Sequence, residues 1–570
     1  MTSDIPTTES TNSLSKAARV GWAAMIVVTL AVCYFSNLGT IGFVGPDEPR
    51  YAWIARDMAE SGDWVTPRLY GKPWFEKPVL YYWLAGTSFK LFGVSEAAAR
   101  LPSAICALFA TLALAWLAWR VYGEETARWL LLLLPTSVGM IGFSHAASTD
   151  MPFSAMVTIA MVCAAVVLGL TRSENTPILP RTPWFTLLLF GFFLGLAVLA
   201  KGPAGIILCG GGVFFWALVT KRWRDAFRLF HPVAIASFCA TALPWYVLCA
   251  QRNPDFFRVF IVEHNFKRYL TPEFQHIQPF WYYVPVLLAA FLPWAIPLAW
   301  IVITKRAGLS KERRADRLQL LFWLGTIFCF LFFTASKSKL PGYILPAVFL
   351  LEFVFAREFA LLASSNRELV SWLSFGSAMP FLISGVLFAW ILHTTTVLKR
   401  AQFDGISAAS FFFALPLLLI WCLFRGKPKA LQGMAAQMLC GAFYCVALLW
   451  LYFPLQVIDG EVSSRRLAKT IIERRIVPLE QIRSYHLQRA RGYQIAFYFH
   501  QELKEFDPSE ENLKGVVTSL SGAQELVRLG LRFGRGIDGG GLKDETTFYE
   551  VLPVKSADGL AGSGQMRQEK

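Results

Sequence analysis

Long apolar runs separated by short polar loops recur along most of the chain and predict membrane-spanning helices. A helix needs about 20 apolar residues to cross a bilayer, and thirteen runs approach that length. A shorter apolar stretch at 79–92 has polar flanks and predicts a helix along the membrane interface. The pattern predicts a polytopic α-helical membrane protein with about 13 transmembrane helices, at residues 20–43, 101–121, 127–144, 151–170, 184–200, 204–220, 232–250, 280–303, 318–334, 342–355, 371–393, 406–424 and 431–453.

The composition supports this interpretation. Hydrophobic residues make up 55% of the 570 positions, charged residues 16%, and the mean hydropathy is +0.45, whereas soluble domains carry about 25% charged residues. The net charge of +15 comes from basic residues dispersed between apolar runs, not from one basic face, which argues against nucleic-acid binding. The ten cysteines lie in apolar stretches without a CxxC pair, so neither a disulfide framework nor a zinc knuckle is indicated.

The positions of Lys and Arg predict the orientation of the spans. Basic residues collect in alternate short loops, for example 221–228 and 305–317, and such loops face the cytoplasm. The sequence therefore predicts a cytoplasmic tail at 1–19 and a transmembrane domain at 20–453 with an outer juxtamembrane segment at 44–100. An odd number of spans places residues 454–570 outside, in the periplasm if the protein lies in the inner membrane of a Gram-negative cell.

The C-terminal segment carries the pattern of a small α/β domain. An amphipathic stretch at 463–476 predicts a helix, and the runs 493–499, 515–520 and 546–554 resemble strands. Residues from 556 onward are rich in Gly, Ser and charge, a composition typical of disorder.

Charged residues collect on the predicted outer face. Basic residues in short outer loops run against the orientation rule, and a bound lipid phosphate would explain them. Two acids in this region, Asp47 and Asp150, suit an enzyme that orients or activates a nucleophile while cations stabilise a phosphate leaving group. The outer charged residues are Asp47, Glu48, Arg50, Glu76, Lys77, Asp150, Lys201, Glu263, His264, Lys267, Arg268, Lys337 and Lys339.

Most of these residues also have a simpler explanation, although Asp150 is harder to explain in this way, because an acid that begins an apolar span tends to face a cavity. A single outer Lys or Arg often extends to a lipid headgroup, Asp47 could cap a helix, and Glu76 with Lys77 could form a solvated ion pair. His264 alone suits an interfacial polar residue better than a metal ligand. Their location on one face favours a common site. The sequence lacks GxxxxGK[ST], GxSxG and HExxH, so no nucleotide cofactor is indicated and the activated group must come from the membrane, as a polyprenyl phosphate sugar does.

Four segments resemble the signatures of the aminoarabinose transferase (ArnT-like) branch of the GT-C membrane glycosyltransferases, which is related to the protein O-mannosyltransferases. They are Asp47-Glu48-Pro49-Arg50-Tyr51, Ser61-Gly62-Asp63-Trp64, Phe75-Glu76-Lys77-Pro78 and the segment from Ser336 to Pro346. The resemblance covers most of the chain. Gly342 is an exception, because a larger or hydroxylated residue is expected there in this family.

The resemblance implies an inverting enzyme that takes a sugar from undecaprenyl phosphate on the periplasmic face and transfers it to an acceptor such as lipid A. The sugar would be 4-amino-4-deoxy-L-arabinose. Lys77, Arg268 and Tyr343 match the residues that hold the carrier phosphate, and Asp47 and Asp150 match the acids at the reacting centre. The family also implies a divalent metal ion, held here by Glu76 with Glu263 or His264.

Two other functions stay open at this point. A mannosyl-type transferase of the same fold would act on hydroxyls of protein or polysaccharide. A lipid or ion transporter would carry charges at mid-span and broken helices in paired halves, whereas the charges here lie at the outer ends of the predicted spans. Membrane lipids are expected partners in every case.

Overall fold

Helices dominate the computed structural model of this chain, which describes residues 16–171, 184–267, 277–295, 316–365, 452–507, 513–539 and 546–552. The chain divides into two units, one of residues 1–40 and 51–455 and one of residues 41–50 and 456–570. Each unit is described by itself below.

The first unit holds the apolar helices. Their bounds are α1 Lys16–Phe35, α2 Asp47–Ser61, α3 Leu80–Phe92, α4 Glu96–Tyr122, α5 Glu124–Thr136, α6 Val138–Ser144, α7 Asp150–Val167, α8 Trp184–Lys201, α9 Ala204–Thr220, α10 Trp223–Ala226, α11 Pro232–Arg252, α12 Tyr283–Ala290, α13 Arg317–Ala335 and α14 Leu345–Ser365. The first four residues of α2 are assigned to the second unit. A two-stranded ribbon pairs β1 Arg68–Leu69 with β2 Lys72–Pro73. A π-helix, Arg258–Lys267, and two 3₁₀ turns, Phe227–Phe230 and Pro341–Ile344, complete the unit.

Five helices in the described residues are long and apolar enough to cross a membrane, or six if α5 and α6 form one bent span. The predicted spans 371–393, 406–424 and 431–453 lie outside the described residues, so the count of thirteen stays a prediction. The helix predicted at 79–92 is present as α3, which buries Tyr81 and Tyr82 and exposes Leu91 and Phe92. Its position at the membrane interface stays a prediction.

The predicted span at 127–144 is not one straight helix. The chain bends by 61° between α5 and α6, and Ser137 lies at the break. Pro135 precedes it and cannot donate a backbone hydrogen bond. The Ser137 hydroxyl donates to the Leu133 carbonyl at 2.8 Å and contacts Glu352 Oε1 at 2.5 Å, so a buried polar pair occupies the bend.

The second unit contains a four-stranded sheet with helices. Strands β3 Ile482–Tyr485, β4 Gly515–Ser519, β5 Arg532–Asp538 and β6 Thr546–Leu552 stand in the order β3-β4-β6-β5. The β3–β4 pair is parallel, with Ile482 opposite Gly515, and the other two pairs are antiparallel. The helices are α15 Tyr452–Val462, α16 Arg465–Arg474, α17 Arg489–Phe499 and α18 Leu520–Arg528.

One strand prediction in this segment was wrong. Residues 493–499 are rich in aromatic and β-branched residues, yet they form the end of helix α17. Ile495 and Phe499, four residues apart, both enter the hydrophobic core of the unit, which is the spacing of a helical face. Tertiary packing therefore outweighs the local strand propensity. The amphipathic stretch 463–476 contains α16, and the runs 515–520 and 546–554 contain β4 and β6.

Residues 41–50 belong to this second unit although they follow the first helix in sequence. The Gly42 amide donates to Asp459 Oδ1 at 2.6 Å. The Phe43 ring meets the Phe497 ring edge-on at a centroid distance of 4.7 Å. The same Asp459 accepts from the Ser463 hydroxyl at 2.8 Å and pairs with Arg465. One carboxylate therefore binds residues from both sequence segments of the unit.

Candidate active site

Asp150 is the first residue of α7, and its carboxylate lies at the positive end of the helix dipole. The loop before it is held in place by buried polar side chains. His145 Nε2 lies 2.6 Å from the Ser36 carbonyl, and the Ser103 hydroxyl donates to the Ala146 carbonyl at 2.6 Å. These contacts fix the point at which α7 begins, and with it the direction of the Asp150 side chain.

Lys201 ends α8 and forms an ion pair with Asp150. The packing of α7 against α8 brings these residues together from positions 51 apart in sequence. The side chains are 10% and 21% exposed, so the pair is mostly shielded from water. Lys201 Nζ also lies 4.5 Å from the centroid of the Tyr343 ring, a cation–π distance.

Gly342 brings the backbone of the next segment against the same carboxylate. A methyl group at this position would lie 2.5 Å from Asp150 Cγ and 2.9 Å from Oδ1. The absence of a side chain therefore leaves the space that the carboxylate occupies. Asp150, Lys201 and Tyr343 form one cluster, which we call the Asp150 cluster, and Gly342 leaves the room that its carboxylate occupies.

The segment 336–343 is held by backbone contacts. The Tyr283 hydroxyl donates to the Leu340 carbonyl at 3.2 Å, and Lys339 Nζ donates to the carbonyls of Ser336 at 2.7 Å and Gln278 at 3.3 Å. These bonds use two of the three ammonium protons of Lys339. Burial, together with the charge of Lys337, lowers the pKa of Lys339.

A second cleft, of about 470 Å³, lies beside the juxtamembrane segment. Glu76, His264, Asp255 and Arg258 line it, and Lys77 Nζ lies 3.8 Å from Glu76 Oε1. Two contacts join its walls, since the Trp245 indole donates to the Val65 carbonyl at 2.9 Å and the Phe75 and Phe256 rings meet edge-on. We call this space the Glu76 cleft.

The metal prediction can be compared with the donors in this cleft. Glu76 and His264 share its lining, but Glu263 Oε1 pairs with Arg258 at 2.7 Å. Among the residues that the structure describes, no group of three or more His, Cys, Asp or Glu side chains is arranged to hold a metal ion. Glu76 and His264 could supply two ligands, and the divalent ion stays a prediction.

The remaining predicted site residues fall in the second unit or outside the described residues. Asp47, Glu48 and Arg50 belong to the second unit, where Arg50 Nη2 pairs with Asp47 Oδ1 at 2.6 Å and Glu48 accepts from the Val44 amide at 2.7 Å. Arg268 lies outside the described residues. The prediction that Asp47, Lys77 and Arg268 share a cavity with Asp150 therefore stays a prediction.

Sequence reasoning missed several residues that shape these sites. Arg258 pairs with Glu263, and Arg252 reaches Asp63 Oδ1 at 3.1 Å. Hydrogen bonds from Arg68 and two backbone amides outweigh partial burial and lower the pKa of Asp63. Asp63 had a signal, because it lies in one of the quoted family segments; Arg252 and Arg258, which line the cleft, had none.

Comparisons with known proteins identify the family. An undecaprenyl phosphate-α-4-amino-4-deoxy-L-arabinose arabinosyl transferase from Enterobacter sp. (strain 638) is 30% identical over 407 residues, which cover 70% of either chain. The enzyme of that name from Aeromonas salmonicida (strain A449) is 31% identical over 430 residues, 74% of this chain and 75% of the relative. This chain belongs to the aminoarabinose transferase family. Residues 22–260 also match the model of the dolichyl-phosphate-mannose-protein mannosyltransferase family.

A solved structure shares the fold of this aminoarabinose transferase family member. ArnT from Cupriavidus metallidurans, crystallised with undecaprenyl phosphate bound, superposes with a TM-score of 0.72 over 93% of this chain and 98% of its own, at 23% identity. Family membership makes this chain a membrane glycosyltransferase related to the mannosyltransferases, as the four sequence segments indicated.

Proposed function

We propose that the chain transfers 4-amino-4-deoxy-L-arabinose from undecaprenyl phosphate to a phosphate of lipid A on the periplasmic face of the inner membrane. The names of the relatives support the sugar and its carrier. The observation that carries the proposal for this chain is the Asp150 cluster, in which a shielded carboxylate and ammonium lie beside the Tyr343 ring.

The reaction breaks the bond between the sugar C1 and the carrier phosphate oxygen, which keeps the electron pair. An acceptor oxygen forms the new bond to C1. Negative charge therefore builds on the departing phosphate, and an ammonium in a poorly hydrated site stabilises it more strongly than in water. In this proposal Lys201 is the ammonium that stabilises the departing phosphate, and Lys77, Lys339 and Arg268 contribute further positive charge.

Asp150 would position Lys201 and contact the sugar. A phosphate acceptor is already ionised and needs little general-base help, so Asp150 or Asp47 would act by orientation. A hydroxyl acceptor would instead require one of these carboxylates to remove a proton. A divalent ion at Glu76 and His264 would supply additional positive charge at the phosphate when bound.

The experiment is a transfer assay with the purified full-length protein in detergent, undecaprenyl phosphate-linked aminoarabinose and lipid A, read by mass spectrometry. We expect a mass increase of one aminopentose per modified phosphate. Asp150→Asn and Lys201→Gln should each abolish most of the product, whereas Glu124→Gln, at a side chain that is 53% exposed, should retain it. Unmodified lipid A with a folded protein would contradict the proposal.

The match to the mannosyltransferase model favours a second candidate, transfer to a hydroxyl of a protein or polysaccharide. The same assay with a mannosyl carrier and a peptide acceptor separates the two. Product on the peptide, together with unmodified lipid A, would support the second candidate.

A further inference from the structure

An apolar groove of about 520 Å³ lies between α8, α9 and α11. Its walls are hydrocarbon side chains, including Phe190, Leu194, Val213 and Phe238. The volume lies in the range of about 300–1,000 Å³ that is common for small-molecule sites. A lining that is almost entirely apolar suits a hydrocarbon chain, because a polar ligand would lose its hydration there with few new hydrogen bonds.

The groove is separate from the Asp150 cluster. Lys201 lies at the end of α8, next to the start of α9, and Lys221 follows the opposite end of α9. The 17 residues of α9 span about 25 Å at 1.5 Å per residue. The groove continues to the Lys221 end, where Trp223, Ala226 and Phe227 of α10 and the following turn line it.

The segment that closes the groove is strongly basic. Residues 221–228 contain Lys221, Arg222, Arg224 and Arg228 but a single acid, Asp225. Asp225 is 7% exposed and accepts from Arg222 Nε at 2.5 Å and from Arg228 Nη1 at 3.1 Å. One carboxylate thus holds two guanidinium groups beside the groove and neutralises only one of them.

The remaining charges and the aromatic residues of this segment face outward. Lys221 and Arg224 are exposed. Phe227 and Phe230 line the groove yet are 65% and 69% exposed. Aromatic rings beside Lys and Arg are typical of the membrane interface. One guanidinium group can bind two oxygens of a phosphate at the same time. An apolar groove with a cationic, aromatic rim has the complementary form of an anionic lipid.

We propose that this groove binds one anionic glycerophospholipid, with an acyl chain between α8, α9 and α11 and the headgroup phosphate against the basic segment 221–228. The site is distinct from the sugar-transfer site and does not depend on the proposed function. Its ligand would be a constituent of the membrane around the protein, not the sugar donor.

Gly210 makes the groove testable. It lines the groove, and a Cβ built on it meets no heavy atom within 4 Å. Gly210→Leu should therefore fill the groove without a clash, and leucine is also the better helix former. Gly142→Leu is the matched control, because a Cβ there also meets open space and Gly142 does not line this groove.

The experiment is native mass spectrometry of the full-length protein in detergent with equimolar phosphatidylglycerol and phosphatidylcholine. We expect one retained phosphatidylglycerol in preference to phosphatidylcholine, with Gly210→Leu losing it and Gly142→Leu keeping it. Arg224→Gln should lower the preference about fivefold, the effect of one basic residue near an anionic lipid. Equal retention of both lipids, or full retention by a folded Gly210→Leu protein, would overturn the proposal.

Discussion

Replacing Gly342 by alanine tests whether the Asp150 cluster is the reacting centre. The added methyl would lie 2.5 Å from Asp150 Cγ, about 1 Å short of ordinary carbon contact. The Asp150 carboxylate is the end of a rotatable side chain, so it should turn away and break its pair with Lys201, with little change in the helices. A misplacement of about 1 Å at a reacting centre lowers rates about 100-fold.

The assay measures kcat and KM for the lipid-linked donor beside thermal unfolding. We expect Gly342→Ala to lower kcat about 100-fold with a small shift in Tm, and Gly142→Ala, which meets open space, to change neither. Because Gly342→Ala and Lys201→Gln both break the Asp150–Lys201 pair, the double variant should be little worse than the stronger single variant. Wild-type kcat in Gly342→Ala, or strictly additive losses, would refute this reasoning.

Two further predictions concern single charged groups. Because burial and Lys337 lower the pKa of Lys339, calorimetric affinity for undecaprenyl phosphate should fall as the pH rises through that lowered pKa, and Lys337→Gln should move the fall to higher pH; an unchanged profile would contradict a role for Lys339. Asp459→Ala removes the carboxylate that accepts from Gly42 and pairs with Arg465 and should cost about 1–3 kcal/mol, seen as faster hydrogen exchange at residues 41–50; protection equal to that of Glu480→Gln, at an exposed residue, would count against it.

Hydrophobic patterning was enough to predict the apolar helices, because a bilayer span imposes length and composition. Hydrophobic patterning could not predict that Asp150 and Lys201, which are 51 positions apart in sequence, form a pair. Both residues were singled out, since each charge adjoins an apolar run, but their contact depends on how α7 packs against α8. Local pattern carries no information on that packing.

The remaining differences have similar causes. Pro135 was a sequence signal for the bend at Ser137. The residues of α5 and α6 are nevertheless apolar enough together to resemble one continuous span. Residues 493–499 have strand propensity but form a helix, because a helix places Ile495 and Phe499 on one face, where both pack in the same core. The close approach of Gly342 to Asp150 cannot be inferred from a glycine in a loop, because most loop glycines serve turns.

The bond between Gly42 and Asp459 has a consequence for how the protein is made. Its two residues are 417 positions apart, and a ribosome adds about 5–20 residues per second. Residues 41–50 therefore emerge about 20–80 s before their partners exist. Throughout that interval the nascent segment that carries Asp47, Glu48 and Arg50 must stay accessible, and translation that stops before residue 456 leaves it without the surface on which it folds.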